Sequence, residues 1–336
     1  MAKLYTKDGW VNWDYIEDQG AVFNMIVGAR GTGKTYGLMK KKVLEQKPFI
    51  YLRRLKTQLD QCAKGDGNPF KKLNSDLGMT ITPYSAGSNV IFTDGNRTGN
   101  IIAIGMALSV VANMRGMDFS DVDTIIYDEA VGNTGEREVK DEFTVFLNFY
   151  ETVNRNRELE GKAPVKVYLL GNANKLSNPY FTGWHFMKTA IKMIRGGQMV
   201  WRSPDGNRMM ILLLHSPISE KKRETALYKN ANDGFLEMAL DNAFRTDETV
   251  IRSEPLREYN HMVSIGDIGI YRHKSERRFY VSSKTQQPFY HDYGIELKLF
   301  QQDYALLRIC YMVSRTVVFE SYENEIIFRE LFNLNN

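Results

Sequence analysis

A chain of 336 residues can bury the cores of two domains, and its hydrophobic fraction of 43% and charged fraction of 25% are ordinary for a globular protein. No apolar run approaches the roughly 18 residues of a membrane span, and the isolated Cys62 and Cys310 fit no zinc or disulfide motif, which argues against a helical membrane protein and a structural zinc domain. The net charge is +4, and residues 1–200 hold 26 Lys/Arg against 21 Asp/Glu, a surplus that permits a polyanionic partner without requiring one.

The first half of the chain alternates predicted strands with predicted helices. Apolar runs predict strands at 22–27, 48–52, 89–92, 101–104, 124–127 and 165–170. Helical spacing predicts helices at 36–41 and 143–156. This alternation predicts an α/β fold with a mainly parallel sheet and helices on both faces.

The pattern changes after Asn178-Pro179. The next fifty residues mix aromatic and basic side chains, with a charged run at 220–224, and we interpret them as a linker or lid subdomain. Strand-like runs at 261–271 and 278–282 and a mainly helical end at 304–332 predict a small α+β C-terminal domain. The predicted domains are therefore 1–180, 181–231 and 232–336.

Residues 28–35 fit the phosphate-loop pattern G-x-x-x-x-G-K-[ST] without a mismatch. A predicted strand enters this segment and a predicted helix leaves it, so that backbone N–H groups and the helix N-terminus can bind phosphate oxygens. Lys34 is expected to reach the β- and γ-phosphates and Thr35 to ligate Mg²⁺, while Gln19 and Tyr36 are candidates for contacting adenine. The predicted nucleotide-binding residues are Gly28, Ala29, Arg30, Gly31, Thr32, Gly33, Lys34 and Thr35.

A second motif follows the predicted strand 124–127, which runs directly into Asp128 and Glu129. In phosphate-loop ATPases the first such acid holds Mg²⁺ and the second polarises the attacking water. A strand that ends in a solvated acidic turn would look the same in isolation, but the upstream loop motif favours catalysis. The two motifs together predict an ATP hydrolase that uses Mg²⁺, and Glu129 argues against a GTPase.

Three further features are ambiguous from the residues alone. Asn172, in the run 171–174, follows a strand at the sheet edge where ligands gather, but an ordinary turn is the alternative. Arg155-Asn156-Arg157 could supply an arginine to a neighbouring subunit's site, although cations near a helix C-terminus are more often structural. The cluster Arg53, Arg54 and Lys56 could track a nucleic-acid backbone or merely decorate a strand end.

Taken in order, these motifs resemble those of the DNA-packaging ATPases of small, tailed, protein-primed phages. The likeness covers about residues 20–185 and is carried by segments 26–34, 51–54, 126–129, 151–158, 171–173 and 178–181. It implies a P-loop ATPase domain of the additional-strand, catalytic-glutamate class, related to the large terminases. It also implies a homo-oligomeric ring, usually a pentamer, that pushes double-stranded viral DNA into a procapsid.

The same resemblance implies partners and residue roles. The motor is expected in the host cytoplasm, docked at the procapsid portal, with a packaging RNA between motor and capsid and no membrane partner. Arg155 is expected to act in trans and Asn172 to couple hydrolysis to movement, both as catalytic residues alongside Lys34 and Glu129. The cluster around Arg53 is expected to contact DNA.

The C-terminal domain is implied to be a degenerate, ribonuclease-H-like nuclease that binds nucleic acid. Active relatives hold two metals with clustered carboxylates. The acids available here are Asp267, Asp292, Glu296 and Asp303, and their spacing does not assemble them into a cluster. Two alternatives therefore stay open: a terminase whose C-terminal domain still cuts DNA, and a P-loop ATPase switch that moves nothing.

Overall fold

The computed structural model describes residues 4–114, 118–132, 136, 139–172, 178–230, 252 and 254–334. The chain divides into two compact units. The first comprises Met1–Gly183 and Lys192–Phe244, and the second comprises Trp184–Ile191 and Arg245–Asn336. The 28–35 loop and the acids at 128–129 both belong to the first unit.

Among the described residues, nine strands form a single sheet in the first unit. They are β1 (Phe23–Gly28), β2 (Phe49–Arg53), β3 (Ile81–Ala86), β4 (Asn89–Asp94), β5 (Ile101–Ala107), β6 (Thr124–Asp128), β7 (Lys166–Gly171), β8 (Val200–Arg202) and β9 (Arg208–Leu213). Their order across the sheet is β3-β4-β5-β2-β6-β7-β1-β9-β8. Six neighbouring strands, β5-β2-β6-β7-β1-β9, pair in parallel. At the two edges of the sheet, β3, β4 and β8 add antiparallel pairs. The mainly parallel α/β sheet predicted from the sequence is confirmed.

The register of the central strands brings their carboxyl ends together. Val27 of β1 lies opposite Gly171 of β7, and Asp128 of β6 lies opposite Leu170 of β7. β6 is buried along its whole length, as expected for a strand covered on both faces by helices. The segments that follow β1, β6 and β7 therefore emerge at the same edge of the sheet.

Nine helices of the described part of the chain lie between residues 13 and 229. In chain order they are α1 (Trp13–Asp18), α2 (Lys34–Leu44), α3 (Lys56–Cys62), α4 (Lys71–Leu77), α5 (Glu142–Asn154), α6 (Pro179–Gly183), α7 (Met187–Gly196), α8 (Pro217–Arg223) and α9 (Ala226–Lys229), with 3₁₀ turns at Gly65–Gly67 and Leu108–Met114. The residues of α7 are shared between the ranges of the two units. The predicted apolar face of α5 is buried through Phe146, Phe149 and Val153.

The structure departs from the predicted domain division between residues 181 and 231. Strands β8 and β9 belong to the large sheet, where β9 pairs in parallel with β1 along its length. The run 209–213 is fully apolar and buried, a pattern that fits a central strand as well as a helix. Much of the segment assigned to a linker or lid is thus part of the first unit.

The second unit contains a smaller sheet. Its strands are β10 (Tyr259–Ile265), β11 (Ile268–His273), β12 (Phe279–Ser282), β13 (Phe289–Tyr290) and β14 (Val317–Phe319), in the order β13-β10-β11-β12-β14. Its helices are α10 (Gly294–Asp303), α11 (Ala305–Ile309) and α12 (Tyr322–Leu331), with a 3₁₀ turn at Leu256–Glu258 and a π-helical turn at Cys310–Ser314. Val281, Phe300 and Phe328 are among its core residues.

The end of the chain, residues 304–332, is mainly helical, as predicted. One short strand was not predicted: β14 lies between the helices and pairs in parallel with β12. Its residues, Val317, Val318 and Phe319, are β-branched or aromatic and buried, which favours a strand over a helix. None of the helices in the described part of the chain has the length and apolar content needed to cross a bilayer.

Candidate nucleotide-binding site

The 28–35 loop joins β1 to α2 and turns on glycine. Gly31 (φ 67°) and Gly33 (φ 86°) occupy the left-handed region, which a residue with a Cβ adopts only at a cost of about 1 kcal/mol or more. Gly33 is also the residue that caps the N-terminus of α2. The first N–H groups of a helix have no partner within it, so this turn presents donors at the start of α2.

Lys34 is the first residue of α2 and is only 8% exposed. Its ammonium donates to the carbonyl oxygens of Gly28 (2.9 Å) and Ala29 (2.7 Å) within the same loop. Burial lowers the pKa of Lys34 to about 7, against an opposing effect of the Asp128 carboxylate. In the part of the chain that the structure describes, no carboxylate lies within ion-pair distance of this ammonium.

Asp128 ends β6 and collects donors from two other elements. The Thr35 hydroxyl donates to its Oδ1 at 2.6 Å. The Tyr51 hydroxyl and an Arg53 N–H donate to its Oδ2 at 2.8 Å and 2.9 Å. The two residues predicted to ligate Mg²⁺, Thr35 and Asp128, therefore lie in direct contact although 93 positions separate them.

Glu129 stands in a strained backbone conformation beside Asp128. Its φ of 53° is unusual for a residue with a side chain and costs of order 1–3 kcal/mol. The following N–H, of Ala130, donates to the Leu170 carbonyl of β7 at 2.9 Å and helps to hold the turn in place. The Glu129 side chain is 43% exposed and accepts a 2.5 Å bond from Arg53. Strain of this kind is often found at functional sites.

These residues surround one cavity of about 360 Å³ at the carboxyl edge of the sheet. It is lined by Arg30, Gly31, Gly33, Lys34, Thr35, Tyr36, Asp128, Glu129, Leu170, Gly171 and Asn172. Asn172 thus lies at the same cavity as the loop and the two acids. Ala29 and Thr32 are buried behind it, with the Thr32 hydroxyl donating to the Ala29 carbonyl at 3.1 Å. Ala173 and Asn174 of the predicted segment lie outside the described residues.

The three basic residues predicted to contact DNA occupy very different environments. The Arg53 side chain is 13% exposed and forms ion pairs with both Asp128 and Glu129, the two acids of the cavity. Arg54 is 5% exposed and is held by the buried carboxylate of Glu142. Lys56 is partly exposed and pairs with Asp60 one turn along α3. The positions of Arg53 and Arg54 argue against the predicted contact with DNA, and the prediction for Lys56 stays untested.

Arg155 lies away from this cavity, at the C-terminal end of α5. Its backbone is left-handed (φ 47°), and its side chain is 52% exposed with Asp118 3.9 Å away. It does not line the cavity of its own chain. The geometry therefore places Arg155 at the surface and leaves its predicted role in trans untested.

A second and larger cavity, of about 960 Å³, adjoins the first at Gly31, Gly33 and Tyr36. Its wall includes the rings of Trp10, Trp13 and Tyr36. The Trp10 ring packs over Gly33, where an added Cβ would approach the ring within 2.9 Å. Of the two residues considered for adenine, Tyr36 lines this cavity and Gln19 does not.

Comparison with known proteins decides the family. Residues 6–310 match the family described as "Podovirus DNA encapsidation protein (Gp16)". The chain belongs to this family. This confirms the resemblance predicted from the sequence motifs.

Individual relatives agree with that assignment. The DNA packaging protein of Bacillus phage B103 is 28% identical over 257 residues, covering 73% of this chain and 71% of the relative. The DNA packaging protein of Bacillus phage phi29 is 25% identical over 262 residues, covering 73% and 68%.

Solved structures show a shared fold. A chain of "The bacteriophage Phi-29 viral genome packaging motor assembly" superposes with a TM-score of 0.65 at 18% identity, over 97% of this chain and 99% of that one. A chain of "The Phi-28 gp11 DNA packaging Motor" gives 0.62 at 16% identity, over 98% and 100%. At these identities the likeness establishes the fold alone.

The second unit of this Gp16-family chain does not bring its predicted acids together into a metal site. Glu296 accepts from the backbone and ring of His291, and Asp303 accepts from the Tyr290 hydroxyl at 3.1 Å. Asp292 lies against Gly266, next to Asp267. Within the described ranges, no three His, Cys, Asp or Glu side chains are grouped so that they could hold a metal ion.

Two residues at the first site were not predicted from the sequence. Tyr51 reaches Asp128 from inside β2, and burial raises its pKa well above the usual value, which keeps the hydroxyl a donor. Glu142 accepts from Arg54, Tyr127 and Tyr180 beneath β6. The sequence did offer a signal for these contacts. Side chains alternate between the two faces of a strand, so β2 directs Tyr51 and Arg53 to one face of the sheet and Arg54 to the other.

Proposed function

We propose that this chain is the ATP-driven motor that moves viral double-stranded DNA into a preformed procapsid. One observation carries the proposal: in a chain of the DNA encapsidation family, the 28–35 loop, Asp128-Glu129 and Asn172 converge on one cavity. The position of β7 between β1 and β6 supports the additional-strand class of P-loop ATPase. The relatives from Bacillus phages B103 and phi29 are named DNA packaging proteins, which supports proposing DNA packaging for this chain.

The loop side of the cavity suits the phosphates of ATP. Among the described residues, the Lys34 ammonium donates to neutral oxygens of its own loop, the Gly28 and Ala29 carbonyls and the Thr32 hydroxyl, so an arriving phosphate can offer it a full negative charge. Charge-assisted bonds of this kind are about twice as strong as neutral ones. Lys34 would hold the β- and γ-phosphates, and the backbone N–H groups of residues 30–35 would surround them.

The acid side of the cavity suits Mg²⁺. Thr35 and Asp128 offer two hard oxygen ligands whose atoms are 2.6 Å apart. When bound, Mg²⁺ would neutralise charge on the transferring phosphoryl group. Tyr51 and Arg53 donate to the other oxygen of Asp128 and so orient the carboxylate.

Glu129 is the residue best placed to activate water. It is the less buried of the two acids and projects from the strained turn into the cavity. An N–H of Arg53 occupies one oxygen of the Glu129 carboxylate at 2.5 Å. We infer that Glu129 acts as the general base once it is released from Arg53.

A ring of identical chains would complete the site. Arg155 is exposed on a strained turn outside the cavity of its own chain, a placement suited to stabilising the transition state in a neighbour's site. Asn172 would contact the γ-phosphate and report its loss to the rest of the motor. We propose a pentamer docked at the procapsid portal, with a packaging RNA as a further partner.

The remaining features fit this function. The cavity lined by Trp10 and Tyr36 has the aromatic walls that stack on a base, so we propose that it takes the adenine. Lys56 is the DNA contact that we retain from the predicted cluster. We propose that the second unit is a vestigial, ribonuclease-H-like domain that binds nucleic acid.

Hydrolysis and binding assays on two variants test the ATPase. Lys34→Ala is expected to lose ATP binding, and Glu129→Gln to bind ATP with hydrolysis reduced at least 100-fold. Hydrolysis by Glu129→Gln at the wild-type rate would place the general base elsewhere. ATP turnover indifferent to DNA and to subunit mixing would favour a switch, and metal-dependent cleavage of plasmid abolished by Asp267→Ala would favour an active nuclease.

A further inference from the structure

Helix α8 reaches the 28–35 loop from a distant part of the chain. Pro217, its first residue, packs so closely on Gly9 that a Cβ there would lie 2.8 Å away. Ile218 and Ser219 of this helix are buried. These contacts, all within the first unit, hold the C-terminal end of α8 beside the loop.

That end of α8 places Lys222 on the lip of the loop. The Lys222 ammonium donates to the Arg30 carbonyl at 2.5 Å. A Cβ at residue 31 would overlap this ammonium, so Gly31 leaves room for the lysine. The phosphate-loop pattern leaves residue 31 free, so the contact is a feature of this chain and not of the motif.

Among the described residues, Lys222 resembles Lys34 in having no carboxylate within ion-pair distance. On the same helix Arg223 has Glu220, and nearby Lys229 has Glu224. The Lys222 ammonium instead donates to a carbonyl oxygen, as that of Lys34 does.

The two ammonium groups also influence each other. Burial lowers the pKa of Lys222, and the charge of Lys222 further lowers the pKa of Lys34. Arg30 acts on Lys34 in the same direction. Arg30, Lys34 and Lys222 thus place three cationic side chains in or beside the loop, and the Asp128 carboxylate favours the charged form of Lys34. An added anion would relieve this repulsion.

We propose that Lys222 is a second phosphate-binding lysine, which leaves the Arg30 carbonyl and contacts a phosphate oxygen of the bound nucleoside triphosphate. The proposal rests on the proposed ATPase function. Through Lys222, α8 would contact the bound nucleotide directly.

Equilibrium binding of a fluorescent ATP analogue, N-methylanthraniloyl-ATP, tests the proposal on the full chain. Lys222→Ala should weaken binding about tenfold, the effect of losing one charge-assisted hydrogen bond. Lys222→Gln keeps a donor for the Arg30 carbonyl but loses the charge, and should weaken binding to a similar extent. Lys222→Arg should stay within about threefold of wild type, because it keeps the charge.

Lys221→Ala is the matched control, since it removes the same charge from the adjacent, exposed position, and it should change affinity less than twofold. If Lys222→Ala and Lys222→Gln both bind like Lys221→Ala while Lys34→Ala loses binding, the inference fails and the ATPase assignment stands. If Lys34→Ala binds normally, the nucleotide site itself is wrongly placed. Tighter binding by Lys222→Ala would show that the lysine excludes nucleotide, which also overturns the inference.

Discussion

Replacing Arg54 tests whether this arginine supports the fold beneath the acid-bearing strand or contacts DNA. Arg54→Met removes a guanidinium whose side chain is 6% exposed and leaves the Glu142 carboxylate, 2% exposed, without its cation. Arg54 donates to both oxygens of Glu142, at 3.0 Å and 2.8 Å, and the ion pair with Glu136 at 3.1 Å is lost as well. Uncompensated burial of one charge costs about 3–5 kcal/mol.

Two local features set the size of the loss. Tyr127 and Tyr180 still donate to Glu142 in the variant, at 3.2 Å and 3.0 Å, and Glu142 opens α5, where the helix dipole favours a carboxylate. Both contacts reduce the cost of the buried charge, so we expect Arg54→Met to lower the free energy of unfolding by about 3 kcal/mol. With a slope near 3 kcal/mol per M in urea, this lowers the midpoint for the first unit by about 1 M.

Urea unfolding followed by tryptophan fluorescence measures this, since Trp10, Trp13 and Trp201 lie in the first unit. The matched control is Lys47→Met, which breaks the exposed pair with Asp123 at 3.0 Å and should cost less than about 1 kcal/mol. Adding Glu142→Gln to Arg54→Met should recover at least half of the loss. An Arg54→Met protein as stable as the Lys47 control, but with weakened DNA binding, would refute the buried role.

Three further predictions concern the cavity. Because Arg53 donates to Asp128 and orients the carboxylate proposed to hold Mg²⁺, Arg53→Ala should lower the hydrolysis rate at least tenfold and leave affinity for DNA without nucleotide within twofold. Weakened DNA binding with normal hydrolysis would instead support a DNA contact at Arg53. Burial lowers the pKa of Lys34 to about 7, and the lysine must be charged to hold phosphate. ATP affinity measured from pH 7.5 to 9 should therefore fall as the pH rises, by at most tenfold per pH unit. An affinity that does not change over this range would contradict the titration of Lys34. In rings that mix wild-type and Arg155→Ala subunits, ATPase activity should fall by more than the fraction of variant subunits. A fall equal to that fraction would contradict the action of Arg155 in trans.

The parallel sheet was predictable because its strands are continuous apolar runs. The strands that carry the loop and the acids, β1 and β6, lie within about a residue of their predicted bounds. Once such strands are parallel, the loop, Asp128-Glu129 and Asn172 must meet at one edge. The contact between Thr35 and Asp128 follows from that rule.

Other features depend on contacts that one sequence does not encode locally. β3 contains Pro83 and only scattered apolar residues, and its place is set by pairing with β4 at the sheet edge. Arg53 and Arg54 were grouped by charge, although adjacent strand residues point to opposite faces. Lys222 meets Arg30 across 192 positions, a proximity that follows only from the packing of α8 on the first unit.

We propose that ATP hydrolysis in this cavity drives DNA into a procapsid. The most direct measurement is nuclease protection of double-stranded DNA after incubation with cognate procapsids, ATP and either wild-type protein or Glu129→Gln. We expect full-length protected DNA with the wild type and ATP, and none with Glu129→Gln or without ATP. Equal protection by Glu129→Gln would contradict this proposal.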